Sequence, residues 1–252
     1  WSLYFFVRSL RTGSRTHWTL YGVVTAASLY VHYHAFLVLL FQLIFFLARL
    51  KDFRPLIREA FLSQLLICVL GVWWLPALVF QLDHPEVYAA FFGGGFPVVA
   101  LSWLMEPAYL FYSFSVGQTL LPWNPVAIVG IVPFAVLAIF GMKGLSSNGE
   151  SFLFVGLLMI VPFVAALLIS ETMPRYLVFL APVYYLVIAQ GLLCFQRRWA
   201  VVGFLCLLLL PISVSAVNYH KNREFHILAQ ADPWREVSEH IRENARMGDC
   251  FV

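Results

Sequence analysis

The chain has 252 residues, of which 62% are hydrophobic and 12% charged, and its formal net charge is +3. Mean hydropathy is +0.83. A soluble domain carries about 25% charged residues and must leave a large share of its surface in water, so this composition excludes an ordinary water-soluble globule. So small a net charge gives no reason to expect nucleic acid either. The expectation is an all-α integral membrane protein of about seven transmembrane helices.

The chain opens at Trp1 inside an apolar run, without an initiator Met or a signal-peptide pattern, and it stops just after Gly248 and Asp249. It therefore reads as an internal fragment of a longer protein. Residues 18–50 follow, a stretch too long for one untilted span and short for two, with His32, Tyr33 and His34 at its middle. Charge placement decides between the two. Arg8, Arg11 and Arg15 precede the stretch, and Arg49, Lys51, Arg54 and Arg58 follow it. Short cytoplasmic loops carry the excess of Lys and Arg, and only a pair of helices turning near His32–His34 puts both clusters inside. The pair is placed at about 18–31 and 35–50.

Further runs of about 17–25 apolar residues, enough to span a bilayer, occupy about 60–80, 126–142, 151–170, 176–195 and 199–217. With these spans Lys143, Arg197 and Arg198 also fall inside, and Arg175 is the one cation of the outer membrane loops, beside Asp83, Glu86, Glu106 and Glu171. The long outer loop, 81–125, is itself unusual. Residues 98–114 are rich in Phe, Tyr, Trp and Leu around Glu106 and Pro107 and predict an interfacial or re-entrant helix, with Trp103, Tyr109, Tyr112 and Trp123 suited to the headgroup level. Beyond 217 the composition turns polar. Asp232 as N-cap and Pro233 at the first helical position predict a helix that begins a water-facing domain. The division expected is thus 1–217, a polytopic membrane domain, and 218–252, the truncated start of an extracytoplasmic C-terminal domain.

Candidate chemistry is sparse. Arg175, in the run Glu171, Thr172, Met173, Pro174, Arg175, Tyr176, could grip a lipid phosphate through paired hydrogen bonds, or serve as an interfacial anchor or a partner for Glu171. His32 and His34 sit at membrane depth, where ionisable groups are costly and usually face a cavity. They could donate to a phosphate or a sugar, or be hydrogen-bonded interface residues; two histidines two apart with no third ligand make a weak metal signal. Among Asp83, His84, Glu86 and Glu106 a carboxylate near a sugar could serve as a general base, or these are solvated charges; Gly93, Gly94 and Gly95 read as a hinge, lacking the strand and helix of a phosphate loop. Cys68, Cys194 and Cys206 fall in apolar runs and Cys250 in the tail, so no disulfide framework is expected.

Trp18, Thr19, Leu20 and Tyr21, followed by the run from Tyr30 to Phe36 with His32 and His34, resemble a helix pair of the polytopic GT-C glycosyltransferases. The run from Pro174 to Pro182, together with Ile188, Ala189, Gln190 and Gly191, is similar to that family's later loop and helix. The segment from Asp232 to Asp249 resembles the start of its extracytoplasmic domain. The likeness is to the protein mannosyltransferase and aminoarabinose transferase branch, the family 39 type. It implies an inverting transferase that moves a sugar from a polyprenyl-phosphate donor to a hydroxyl of a lipid, glycan or protein acceptor, at the outer face of a plasma or inner membrane. It also implies a donor-phosphate site at Arg175, Tyr176, His32 and His34, with no cofactor and with a divalent-metal requirement left open. His32 matches the histidine of the family's helix-pair motif, with Val31 where a Thr is common. The acidic residue that activates the acceptor in that family belongs to a first outer loop upstream of Trp1, so the catalytic carboxylate is not expected in this chain. Two other readings stand beside this one: a transporter or flippase, and a non-catalytic membrane subunit of a glycan-assembly system.

Overall fold

The computed structural model describes residues 1–32, 34–74, 76, 79, 102–168, 174, 176–221 and 234–244. Among these residues there are ten α-helices and no strand: α1 (Ser2–Thr12), α2 (Arg15–Val31), α3 (Ala35–Ala48), α4 (Ile57–Gly71), α5 (Ser102–Val116), α6 (Pro125–Ser146), α7 (Gly149–Leu168), α8 (Ala181–Leu193), α9 (Arg198–His220) and α10 (Trp234–Asn244). Three of them, α6, α7 and α9, are long and apolar enough to cross a membrane. Shorter apolar helices cover Ala35–Ala48 and Val178–Leu193. Helix is what such a chain must form in lipid, where backbone N–H and C=O groups find no water and have to bond within the segment.

Where the expected spans fall on described residues, a helix is found, with ends displaced by a few residues. The expected 60–80 span is a helix over Ile57–Gly71 followed by a 3₁₀ turn at Val72–Trp74, and its last third lies largely outside the described residues. The 176–195 span begins as a 3₁₀ turn, Val178–Leu180, before α8. One helix was not expected. The opening apolar run forms α1, which buries Phe6 and Ser9, points Arg8 and Arg11 outward, and ends at Gly13 in the left-handed conformation (φ 64°) that a glycine adopts without strain. Of the expected outer-loop helix, Ser102–Val116 is described. Its C-terminal half is not at the surface. Tyr112 is 7% exposed and donates its hydroxyl to the Leu120 carbonyl, so this side chain is interior rather than a headgroup anchor. Trp123 is 72% exposed. In the tail, α10 lies where a helix was expected, while its Asp232 and Pro233 are outside the described residues.

Packing runs as a chain of neighbours: α4 against α2, α2 against α1 and α3, α3 against α7, α7 against α6 and α8, and α6 against α5, α8 and α9. The α3–α7 contact is aromatic, with Phe154 meeting Phe41 and Phe45 edge-on at 5.1 Å each. The α6–α8 contact is the closest in the bundle, because small residues let the backbones touch. A Cβ on Gly141 would overlap the Val187 carbonyl, and one on Gly191 would overlap that of Leu137.

A line of polar side chains runs through the apolar core of α1–α4. Gln64 Nε2 donates to the Tyr21 hydroxyl (3.1 Å), which donates to Gln42 Oε1 (3.0 Å). Gln42 Nε2 donates to Ser2 Oγ (3.0 Å), which pairs with Thr25 Oγ1 at 2.7 Å. Four helices are joined through five side chains, each a partner for a group that would otherwise be buried unpaired.

The loops sort to two ends. Arg15 pairs with Glu59 (3.7 Å) and Arg49 with Asp52 and Glu150 (3.9 Å to the latter), which brings the α1–α2, α3–α4 and α6–α7 connections together at a basic end. At the other end the Tyr30 hydroxyl bonds the Leu70 carbonyl (2.6 Å), Thr119 bonds Ser215 (2.7 Å), and the α2–α3 turn meets the loop before α8.

Two stability measurements follow. Gly141→Val and Gly191→Val should each lower the thermal midpoint in detergent, consistent with an overpacking cost of about 1–3 kcal/mol, while Gly156→Val and Gly203→Val, which face open space, should leave it near wild type. Tyr21→Phe should cost about 1–2 kcal/mol by removing one donor and one acceptor from the buried line, and the same assay reads it.

Candidate functional site

The α2–α3 turn is built by a change of backbone at His32. The amide of His32 still bonds back to Ser28 (3.0 Å), but the residue itself is extended (φ −156°, ψ 116°), which ends α2. His34 then takes right-handed helical angles as the N-cap of α3, and its carbonyl accepts from Leu37 (3.0 Å). The turn is also held from within. The His34 backbone N–H donates to His32 Nδ1 at 3.2 Å. A neutral imidazole that accepts at Nδ1 carries its proton on Nε2, so His32, which is exposed, presents Nε2–H as a donor.

The helices on either side of this turn are short. At 1.5 Å per residue, α2 and α3 are about 25 and 21 Å long, against about 33 Å for α6 and a hydrocarbon thickness of about 30 Å. Both reach the basic end through Arg15 and Arg49. At the opposite end of the hairpin the two histidines form the turn, His32 exposed and His34 buried.

The residues just ahead of α8 meet this turn. Among them the Leu177 N–H bonds the Pro174 carbonyl (3.2 Å) and Leu180 N–H bonds the Leu177 carbonyl (2.8 Å), while Leu177 and Leu180 are fully buried. This tight turn puts Tyr176 flat on His34, with ring centroids 4.6 Å apart and planes 10° from parallel. His32 stands 5.0 Å from His34 and 6.0 Å from Tyr176. His34 is 1% exposed and Tyr176 8%. Burial first, and the neighbouring His32 second, push the His34 imidazole down to about 4, so it is neutral at physiological pH and able to donate at one nitrogen and accept at the other.

Of the four residues expected to hold a donor phosphate, three, His32, His34 and Tyr176, are thus brought into one cluster. Arg175 lies outside the described residues, as do Glu171, Asp83, His84, Glu86 and the Gly93–Gly95 run. Glu106 is half-buried on α5, a helix that packs on α6 and α9. Among the described residues no group of three or more metal-ligating side chains gathers. What the sequence reading passed over is the buried line of Ser2, Tyr21, Thr25, Gln42 and Gln64, which holds the hairpin that carries the histidines. The signal was visible: Gln42 and Gln64 interrupt apolar helical runs, where an amide is costly unless bonded. Against known protein families, characterised proteins and solved structures, the chain matches none.

Titration should reveal the cluster. In ¹⁵N-histidine NMR, His34 should remain neutral at pH 5.5 and protonate only toward about pH 4. Its folded value lies below the free value of about 6.5, so the unfolded turn binds the extra proton first. The stability due to burying neutral His34 is then complete above about pH 6.5 and is lost as pH falls from there toward 4. His34→Gln should flatten that part of the stability profile.

Proposed function

We propose that this chain belongs to a membrane glycosyltransferase that moves a sugar, with inversion, from a polyprenyl-phosphate donor to an acceptor hydroxyl at the extracytoplasmic face of a cell membrane. The observation that carries the proposal is the stacking of Tyr176 on His34 beside His32. Two segments about 140 residues apart, both among those that resemble the GT-C motifs, meet there and bring hydrogen-bonding side chains together.

In this reading α2, α3, α4 and α8 span the bilayer along with α6, α7 and α9, giving seven spans. The basic end is cytoplasmic, following the bias of Lys and Arg to that side. The histidine end and the segment after α9 are extracytoplasmic, as is α10. The donor lipid lies with its phosphate against the histidine cluster. Arg175, next to Tyr176 in the chain, grips that phosphate, and the Nε2–H of His32 and the neutral imidazole of His34 add hydrogen bonds without adding charge. As the acceptor oxygen attacks the anomeric carbon, the bond to the phosphate oxygen breaks on the opposite side. Negative charge grows on the departing phosphate, and the guanidinium stabilises it most at that moment. The group that takes the acceptor proton is not assigned among the residues of this chain.

The test uses the full-length protein reconstituted with a labelled polyprenyl-phosphate sugar. Arg175→Ala should lower turnover by 100-fold or more with insertion intact, the range seen when one transition-state donor is removed. Tyr176→Phe should keep most activity because the stacked ring remains, whereas Tyr176→Ala should not. Wild-type turnover in Arg175→Ala sinks the phosphate role. For the topology, Val31→Cys, a position 86% exposed, should react with an impermeant thiol reagent added from outside and not from the cytoplasmic side.

A further inference from the structure

A second site lies at the opposite end of the bundle. The starts of α2 and α4 enclose a cleft of about 210 Å³, well above what a single water requires. Arg15, Thr19 and Arg58 form its polar rim, and Trp18, Leu62 and Leu66 its apolar wall. The floor is set where the two helices close on each other at Gly22, at which a Cβ would come within 2.9 Å of Leu66 Cδ2.

Two features of the cleft point to a phosphate-bearing ligand. Glu59 is matched by Arg15 at 3.7 Å, and Arg58 has no ion-pair partner among the described residues, so the cleft keeps a net positive charge. Ser14, the N-cap of α2, makes no side-chain capping bond, which leaves the positive end of the helix dipole facing this end. Below the rim, Phe61, Leu62, Leu65 and Val69 continue down the outside of α4 as an exposed apolar face, which suits acyl chains better than water.

We propose that this cleft holds the phosphate headgroup of an anionic phospholipid, with the acyl chains lying along α4. Arg58 and Arg15 meet the phosphate, and the stems of the arginines rest on the apolar wall. The site depends on the membrane reading and not on the sugar-transfer reading, and lies at the end away from the histidine turn.

Native mass spectrometry of the full-length protein, equilibrated with equal phosphatidylglycerol and phosphatidylcholine, tests it. The wild type should retain phosphatidylglycerol over phosphatidylcholine by about tenfold, the worth of one charge-assisted contact. Arg58→Gln, at an exposed position, should bring the ratio near one, and Thr19→Trp should do the same by filling the cleft with no change of charge. Arg198→Gln, a basic residue elsewhere at the same end, should leave it unchanged. Equal retention of both lipids by the wild type, or an equal loss in Arg198→Gln, would overturn the site. So would full displacement of the lipid by millimolar inorganic phosphate at constant ionic strength, since that marks a free-anion site. Sugar transfer in Arg58→Gln reports separately on the transferase reading.

Discussion

Gln64, Tyr21, Gln42, Ser2 and Thr25 have to find one another, because their helices are otherwise faced with Phe, Leu and Ile, which can accept and donate nothing. In an environment without water such groups bond within the protein or remain at a cost of a few kcal/mol each. The Tyr21–Gln42 bond, 3.0 Å between α2 and α3, sets the register of the hairpin, and Ser2 and Gln64 clamp α1 and α4 to the same pair. A slip along either helix would break several of these bonds together. The depth at which the chain reverses at His32 follows from that register.

The rest of the bundle is hung on this unit through α3. Phe41 and Phe45 take Phe154 of α7 between them. Tyr176, ahead of α8, lies flat on His34 of the α2–α3 turn. On its far side α7 meets α6 and α8, whose backbones are in contact at Gly141 and Gly191. The histidine turn is thus framed by one polar register and one small-residue contact, two devices that work in lipid because neither relies on the hydrophobic effect between helices. Its electrostatics follow from the same burial: a histidine that is 1% exposed is held neutral, and so can hydrogen-bond a phosphate without repelling the arginine proposed to bind it.

The two ends of the molecule are chemically unlike. One carries Arg15 and Arg49 with their acidic partners Glu59, Asp52 and Glu150, and Arg58 beside them; the other carries two imidazoles and a phenol. Both are organised around helix ends and short turns, the only places where a bundle of this kind exposes polar backbone. The lipid site inferred at the basic end and the donor site at the other would engage phosphate by different means, fixed charge in the first and a hydrogen-bonding cluster completed by one arginine in the second.

Much of this was legible in the residues alone. Apolar runs of bilayer length specify helices, because no other backbone arrangement satisfies itself in lipid, and the basic clusters on both sides of residues 18–50 required a reversal near His32. That Tyr176 meets the histidines of a turn about 140 residues earlier was not legible from periodicity or charge. Helix ends moved by a few residues, since where a helix gives way to a turn depends on what packs on its last turn: α4 passes into a 3₁₀ turn and α8 is preceded by one. An amphipathic opening run with arginines at Arg8 and Arg11 did not announce α1, and Tyr112, aromatic and amphipathic, gave no sign that it would be buried. Periodicity and hydropathy report how a segment meets its solvent, and so the sequence by itself determined the helical class, the apolar helices and the place of the reversal. Which side chains meet depends on register between helices, set by contacts between residues far apart in the chain. Only the tertiary structure could therefore decide that Tyr176 lies on His34, that Gln42 belongs with Ser2, and that Arg58 and Trp18 share a cleft.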